Sequence, residues 1–178
     1  MTPRHSYSEE FEKSIIQLIE KYPGLGLREL ARELEVSAQS LKYSTDLLLE
    51  QKTITVKKDG KYLRFYAKDF EIDDFEEKIL NCFRKSQLLN VIMIFLNAYK
   101  KNKKEILKNQ EILERIEVHS AGTITYYLNQ LTENSIIEKT KEGFRLINPA
   151  LIESLLKKYR PTHSIIDNFI NLWTDYFQ

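Results

Sequence analysis

Apolar positions along the first fifty residues recur at helical spacing. Phe11, Ile15, Leu18, Ile19 and Tyr22 stand at i, i+4, i+7, i+8 and i+11, one face of a helix expected from Ser8, with Glu9 and Glu10 in a first turn that favours acids. Pro23-Gly24 stops it. Residues 28–34 (RELAREL) predict a short second helix, and Ser37 is a natural N-cap for a third that runs to about Gln51. The period then shortens: residues 53–58 (TITVKK), an Asp59-Gly60 turn and residues 61–67 (KYLRFYA) predict a β-hairpin.

Beyond Asp69 the helical period returns. Asp73 or Asp74 caps an amphipathic helix with Phe75, Ile79 and Phe83 on one side, expected to join two modules, and residues 87–99 read as a helix buried on most sides. After a lysine-rich stretch, residues 109–116 (NQEILERI) repeat the size and pattern of residues 28–34. His119-Ser120 caps a helix to Asn134, and residues 136–141, Glu142-Gly143 and residues 144–147 predict a second hairpin. Asn148-Pro149 opens a helix to Tyr159, Arg160-Pro161 breaks it, and Thr162 caps a last helix to the C-terminus.

The repetition has a fixed offset. Tyr43 and Tyr126, Leu48 and Leu131, Ile54 and Ile137, and Gly60 and Gly143 are all 83 residues apart, and the offset slips to 82 at Glu29/Glu111 and Val36/Val118, a one-residue insertion at His119. The expected class is mainly α with small β-hairpins (α+β). Three helices closed by a hairpin, twice, predict two tandem winged helix-turn-helix units plus C-terminal helices. The boundaries expected are 1–70 and 86–148 for the two units, 71–85 for a connecting helix and 149–178 for the C-terminal helices.

Composition narrows the chemistry. The 178 residues are 42% apolar and 30% charged, with five glycines and four prolines, which excludes a disordered tail, a collagenous repeat and an all-β chain rich in turns. Net charge is +1, so no partner can be read from global charge. The single Cys82 excludes an internal disulfide and a Cys-rich zinc site, and points to a reducing compartment. His5, His119 and His163 lack metal-ligand spacing, and there is no phosphate-binding glycine loop. The charged start lacks a signal peptide's apolar stretch, and the longest apolar run, 88–99, is too short to span a membrane. The expectation is a cytoplasmic protein, not an enzyme, with no cofactor and no metal.

With these elements assigned, the wording of the chain is informative. Residues 24–67 (GLGLRELARELEVSAQSLKYSTDLLLEQKTITVKKDGKYLRFYA) resemble the first unit of archaeal tandem winged helix-turn-helix transcription regulators. Residues 111–139 and 143–162, including Tyr159-Arg160-Pro161 ahead of a closing helix with Trp173, are similar to that family's second unit. The resemblance covers nearly the whole chain and implies double-stranded DNA as partner. The family has glycine where this chain has Glu35, Glu117, Lys52 and Ser135, and histidine at Ser44 and Tyr127. A left-handed residue other than glycine costs about 1 kcal/mol or more, so those turns are expected to be built differently.

The sharpest chemical signal is the first hairpin. Lys52, Lys57, Lys58, Lys61, Arg64 and Lys68 face Asp59 alone, and such a stripe attracts phosphates and releases their counterions. Lys139, Lys141 and Arg145 are the counterparts in the second hairpin. On the third helices, Gln39, Ser40, Lys42, Tyr43 and Asp46, and then Thr123, Thr125, Tyr126 and Asn129, should point outward as base readers. The second set has no lysine or arginine. Lys100, Lys101, Lys103, Lys104 and Lys108 against Glu105 offer a weaker phosphate contact. In the last helix Ile165, Phe169, Leu172, Trp173 and Tyr176 share a stripe too apolar to stay exposed, which predicts a homodimer. The partners expected are duplex DNA, a second copy of the chain and a protein of the transcription machinery, with no membrane. The alternative is a protein-interaction scaffold without specific DNA binding.

Overall fold

The computed structural model describes residues 4–116 and 120–178. Among them helices and two small antiparallel hairpins alternate, and the chain divides into two compact units after Ile72.

The first unit holds α1 (Arg4–Lys21), α2 (Leu27–Glu33), α3 (Ala38–Glu50), β1 (Ile54–Asp59) and β2 (Tyr62–Ala67). α1 begins a turn earlier than Ser8, which places Glu9 and Glu10 inside the helix and not in its first turn. Ile15, Ile19, Leu30, Leu41, Leu48 and Phe65 close the core, each at most 4% exposed. Burying each contributes about 1.5 to 3 kcal/mol. Local chemistry sets the ends of α3. The Ser37 hydroxyl accepts from the Ser40 N–H at 3.1 Å. At the other end the Thr53 and Lys52 N–H groups donate to the Leu48 and Leu49 carbonyls, and Lys52 sits at φ 57.

β1 and β2 pair in register from Ile54 with Ala67 to Asp59 with Tyr62, so the turn is Gly60-Lys61, one residue later than expected. Gly60, at φ 58, takes the first loop position, where a two-residue hairpin favours glycine. A short extended segment lies along β2: the Gly24 N–H donates to the Phe65 carbonyl at 2.7 Å, and the Phe65 N–H to the Leu25 carbonyl at 3.0 Å.

The second unit holds α4 (Asp74–Phe83), α5 (Ser86–Asn102), α6 (Asn109–Leu113), α7 (Ala121–Glu133), β3 (Ile137–Lys139), β4 (Phe144–Leu146), α8 (Pro149–Lys158), α9 (His163–Ile166), a 3-10 turn (Asp167–Phe169) and α10 (Ile170–Phe177). The segment read as a connecting helix is packed inside this unit, where α4 contacts α5 and α8. Asp73 is its cap, accepting from the N–H groups of Phe75 and Glu76. α5 is buried without a break from Val91 to Ala98. Cys82 is buried too, and loss of water pushes its thiol up to about 12, where it behaves as a small apolar side chain.

The C-terminal stripe is not one helix. The 3-10 turn interrupts it and changes its phase, and α10 packs on α5. Ile165, Phe169 and Tyr176 are buried in their own unit, while Leu172 and Trp173 are half-buried. The dimer face inferred from their exposure therefore loses its premise. Polar bonds hold the same seam: the Asn97 amide donates to the Leu172 carbonyl at 3.3 Å, and Lys101 pairs with Asp175 at 3.1 Å. Among the described residues no single helix is long and apolar enough to cross a membrane.

Candidate nucleic-acid interface

α3 and α7 are the same object built twice. Each runs thirteen residues behind a serine cap, Ser37 or Ser120, whose hydroxyl also meets the hydroxyl of the third helical residue, Ser40 or Thr123, at 2.8 Å. Each ends on a left-handed residue, Lys52 at φ 57 or Ser135 at φ 60. Glu35 is left-handed as well, at φ 55. The expectation that these turns are built differently without glycine is corrected at Glu35, Lys52 and Ser135: each is left-handed and closed by main-chain bonds to the end of the preceding helix, despite a local cost of about 1 kcal/mol. Glu117, Val118 and His119 lie outside the described residues, and with them the turn expected at Glu117 and the one-residue insertion at His119.

The outward faces match the expected residues. On α3, Gln39, Ser40, Lys42, Tyr43 and Asp46 are exposed while Leu41, Thr45 and Leu48 are buried. Lys42 and Asp46 pair at 2.6 Å in the open, a bond weak enough to exchange for another partner. On α7, Thr125, Tyr126 and Asn129 are exposed, and Thr123 is half-buried with its hydroxyl at the cap. Tyr126 accepts from the Gln130 amide at 2.6 Å.

The hairpins differ. In the first, Lys57, Lys58 and Lys61 are exposed, with Lys57 over the Tyr66 ring and Lys61 over the Tyr62 ring at 5.5 and 5.3 Å. Arg64 is not a surface cation. Its side chain is 10% exposed, and it donates from Nη1 to Glu29 Oε2 at 2.8 Å and from Nε to Asp59 Oδ2 at 3.3 Å. Glu29 in turn accepts from the Gly26 N–H at 2.7 Å. This chain of bonds fastens the hairpin to the start of α2, which corrects the reading of Arg64 as a phosphate contact. Sequence reasoning missed Glu29, 35 residues away, although its place three residues after Gly26, at the start of a helix, was a visible capping signal.

The second hairpin is shorter. Ile54 and Ile137 keep the offset of 83, but their partners across the ladder, Ala67 and Leu146, are 79 apart. Phe65 and Phe144 agree, since Phe144 exchanges two 2.9 Å bonds with Leu107 as Phe65 does with the segment at Gly24-Leu25. Four residues of the tip are missing. Gly143 therefore stands where Arg64 does, and its match to Gly60 is a coincidence of counting. Lys139 and Lys141 are exposed, and Arg145 pairs with Glu138 at 2.6 Å.

The lysines before α6 serve their own unit. Lys100 donates to the Tyr176 carbonyl and lies over that ring, Lys101 takes Asp175, and Lys104 takes Glu111. Hydrogen bonds from Lys104 and from the Lys108 backbone N–H hold the Glu111 carboxyl below the usual range. No group of three or more metal-ligating side chains occurs among the described residues.

No family model matches the chain, and no curated protein matches it.

Proposed function

We propose that the chain binds double-stranded DNA through its first unit, with α3 against base edges and the β1–β2 hairpin on the flanking phosphates. In this reading both units are winged helix-turn-helices, and the protein is a cytoplasmic transcription regulator of the archaeal tandem kind it resembles. One observation carries it. Lys57, Lys58 and Lys61 are exposed on a hairpin that Arg64 locks to α2, in the same unit as a helix capped at both ends with polar side chains outward. Fixed cations of this kind release counterions on phosphate at little ordering cost. The reading calls for no second copy, because α10 already packs on α5.

A scaffold reading has its own support in the second unit, where the exposed face of α7 has no cation and the hairpin has lost its tip. Selection of duplexes from a random pool by the full chain, followed by salt titration, separates the two. DNA binding predicts an enriched motif and an affinity whose logarithm falls against log salt by about 0.9 per phosphate contact. Absence of duplex binding at ~50 mM salt overturns it in favour of the scaffold.

A further inference from the structure

Exposed apolar side chains gather on the elements that carry the exposed lysines. Tyr43 on α3 is 77% exposed, and on the first hairpin Tyr62 and Leu63 are each 54% and Val56 is 37% exposed. Half of the large apolar side chains left exposed among the described residues belong to these two elements.

The register explains how they are presented. Ile54, Val56 and Lys58 share one face of the hairpin with Ala67, Phe65 and Leu63. At the base this face is core, with Ile54 and Phe65 buried. Further out the same face continues as Val56 and Leu63 with nothing to cover them, and Lys58 stands directly across from Leu63. A solvated edge strand would be blunted with polar residues at these positions. The second hairpin has no apolar counterpart of this patch: Lys139 stands at the position of Val56, across from Phe144, and the tip beyond it is four residues shorter.

We infer that Leu63, supported by Val56, is an apolar wedge that enters the DNA minor groove and partly unstacks one base step. The inference rests on the DNA-binding reading above and adds what the hairpin does there. Two paired strands are about 5 Å apart between axes and wider over their side chains, so the hairpin lies along the minor groove, about 6 Å wide, and a single side chain at its tip enters it. Lys57 and Lys58, adjacent on β1, point to opposite faces of the hairpin, and with Lys61 in the turn they reach the phosphates of the groove's two walls. Leu63 then meets the base edges, and an apolar side chain gains there only by displacing water and sliding between bases. Pyrimidine–purine steps unstack most easily, so the site selects for deformability at that position and not for a hydrogen-bond pattern.

The test uses the full chain and duplexes recovered from a random pool, with 2-aminopurine placed at successive steps. The wedge predicts that one step brightens on binding and that a dye pair at the duplex ends reports a bend. Leu63→Ala, an exposed change that leaves the core intact, should abolish both signals and weaken affinity about tenfold with the salt slope unchanged. Duplex binding without brightening, or brightening that survives Leu63→Ala, overturns the wedge and leaves the DNA reading standing. Failure to bind any duplex overturns both. Binding to phosphatidylserine vesicles that Leu63→Ala abolishes, with no duplex bound, would assign the patch to a lipid surface instead.

Discussion

The two helix–hairpin regions, α3 with β1–β2 and α7 with β3–β4, agree residue for residue up to one point and then part. Caps, length and left-handed exit are shared through Ile54 and Ile137. Past that pair the first hairpin extends, carries exposed lysines and is tied down by Arg64. The second closes early, and at the position of Arg64 it has Gly143, against which the Leu107 backbone runs directly. Positions that fix the backbone have been kept, while those that fix surface chemistry have changed. Both hairpins exchange main-chain bonds with a neighbouring segment; the first adds the Arg64 ion pairs, where the second has a glycine pressed against backbone.

The sharpest way to break that comparison is to put a side chain on each glycine. A Cβ on Gly143 would stand 2.3 Å from the Leu107 carbonyl oxygen, whereas a Cβ on Gly60 meets nothing within 4 Å. Gly143→Ala should therefore cost about 3 kcal/mol or more by forcing two backbone segments apart, and Gly60→Ala about 1 kcal/mol from its left-handed φ alone. Urea unfolding of the full chain measures both. Equal costs would restore the two glycines as true counterparts and undo the four-residue offset.

Arginine truncation is next in size. Arg64→Ala leaves Glu29 and Asp59 without their cation and should destabilise the first unit by about 2 to 3 kcal/mol. Arg145→Ala removes an exposed pair with Glu138 and should cost less than about 1 kcal/mol. If unfolding shows Arg64→Ala to be as mild as Arg145→Ala, the brace is not one.

Binding gives the third contrast. Replacing Lys57, Lys58 and Lys61 together by Ala should reduce the steepness of the salt dependence by about 2 to 3, and replacing Lys139 and Lys141 by less than about 1. The comparison fails if the two sets of mutants give the same slope.

These contrasts also mark how far the chain could be read without coordinates. The caps and lengths of α3 and α7 were legible because the signals are local: Ser37 and Ser120 each precede a helical apolar pattern. The outward faces followed from the same periodicity. What was not legible depended on distance. Charge counting placed Arg64 with the lysines because it cannot register a carboxylate on another element. The offset of 83 hid the shortened hairpin, because deleting four residues happens to bring a second glycine into line. The last helix kept its apolar spacing in sequence but not in space, since a 3-10 turn at Asp167–Phe169 shifts the phase. α5 of the same chain supplies cover that the apolar stripe was expected to draw from a partner.

The smallest expected effect tests the feature the two regions share. Lys52 and Ser135 hold φ of 57 and 60, which costs an ordinary residue about 1 to 2 kcal/mol, while glycine there avoids the clash but loses more freedom on folding. Lys52→Gly and Ser135→Gly should each stabilise the chain by up to about 1 kcal/mol. Lys52→Asn should lie between lysine and glycine, since asparagine tolerates the left-handed region better than most residues. The sign is what matters. Both exits make the same pair of bonds to the helix end, from Thr53 and Lys52 and from Ile136 and Ser135, so the gains should match within a few tenths of a kcal/mol once the lost charge of Lys52 is matched by a Lys52→Ser control. Thermal unfolding that finds a gain at one exit and a loss at the other would mean that the lysine or the serine makes a contact of its own there, and that the two regions already differ at the residue where the helix ends.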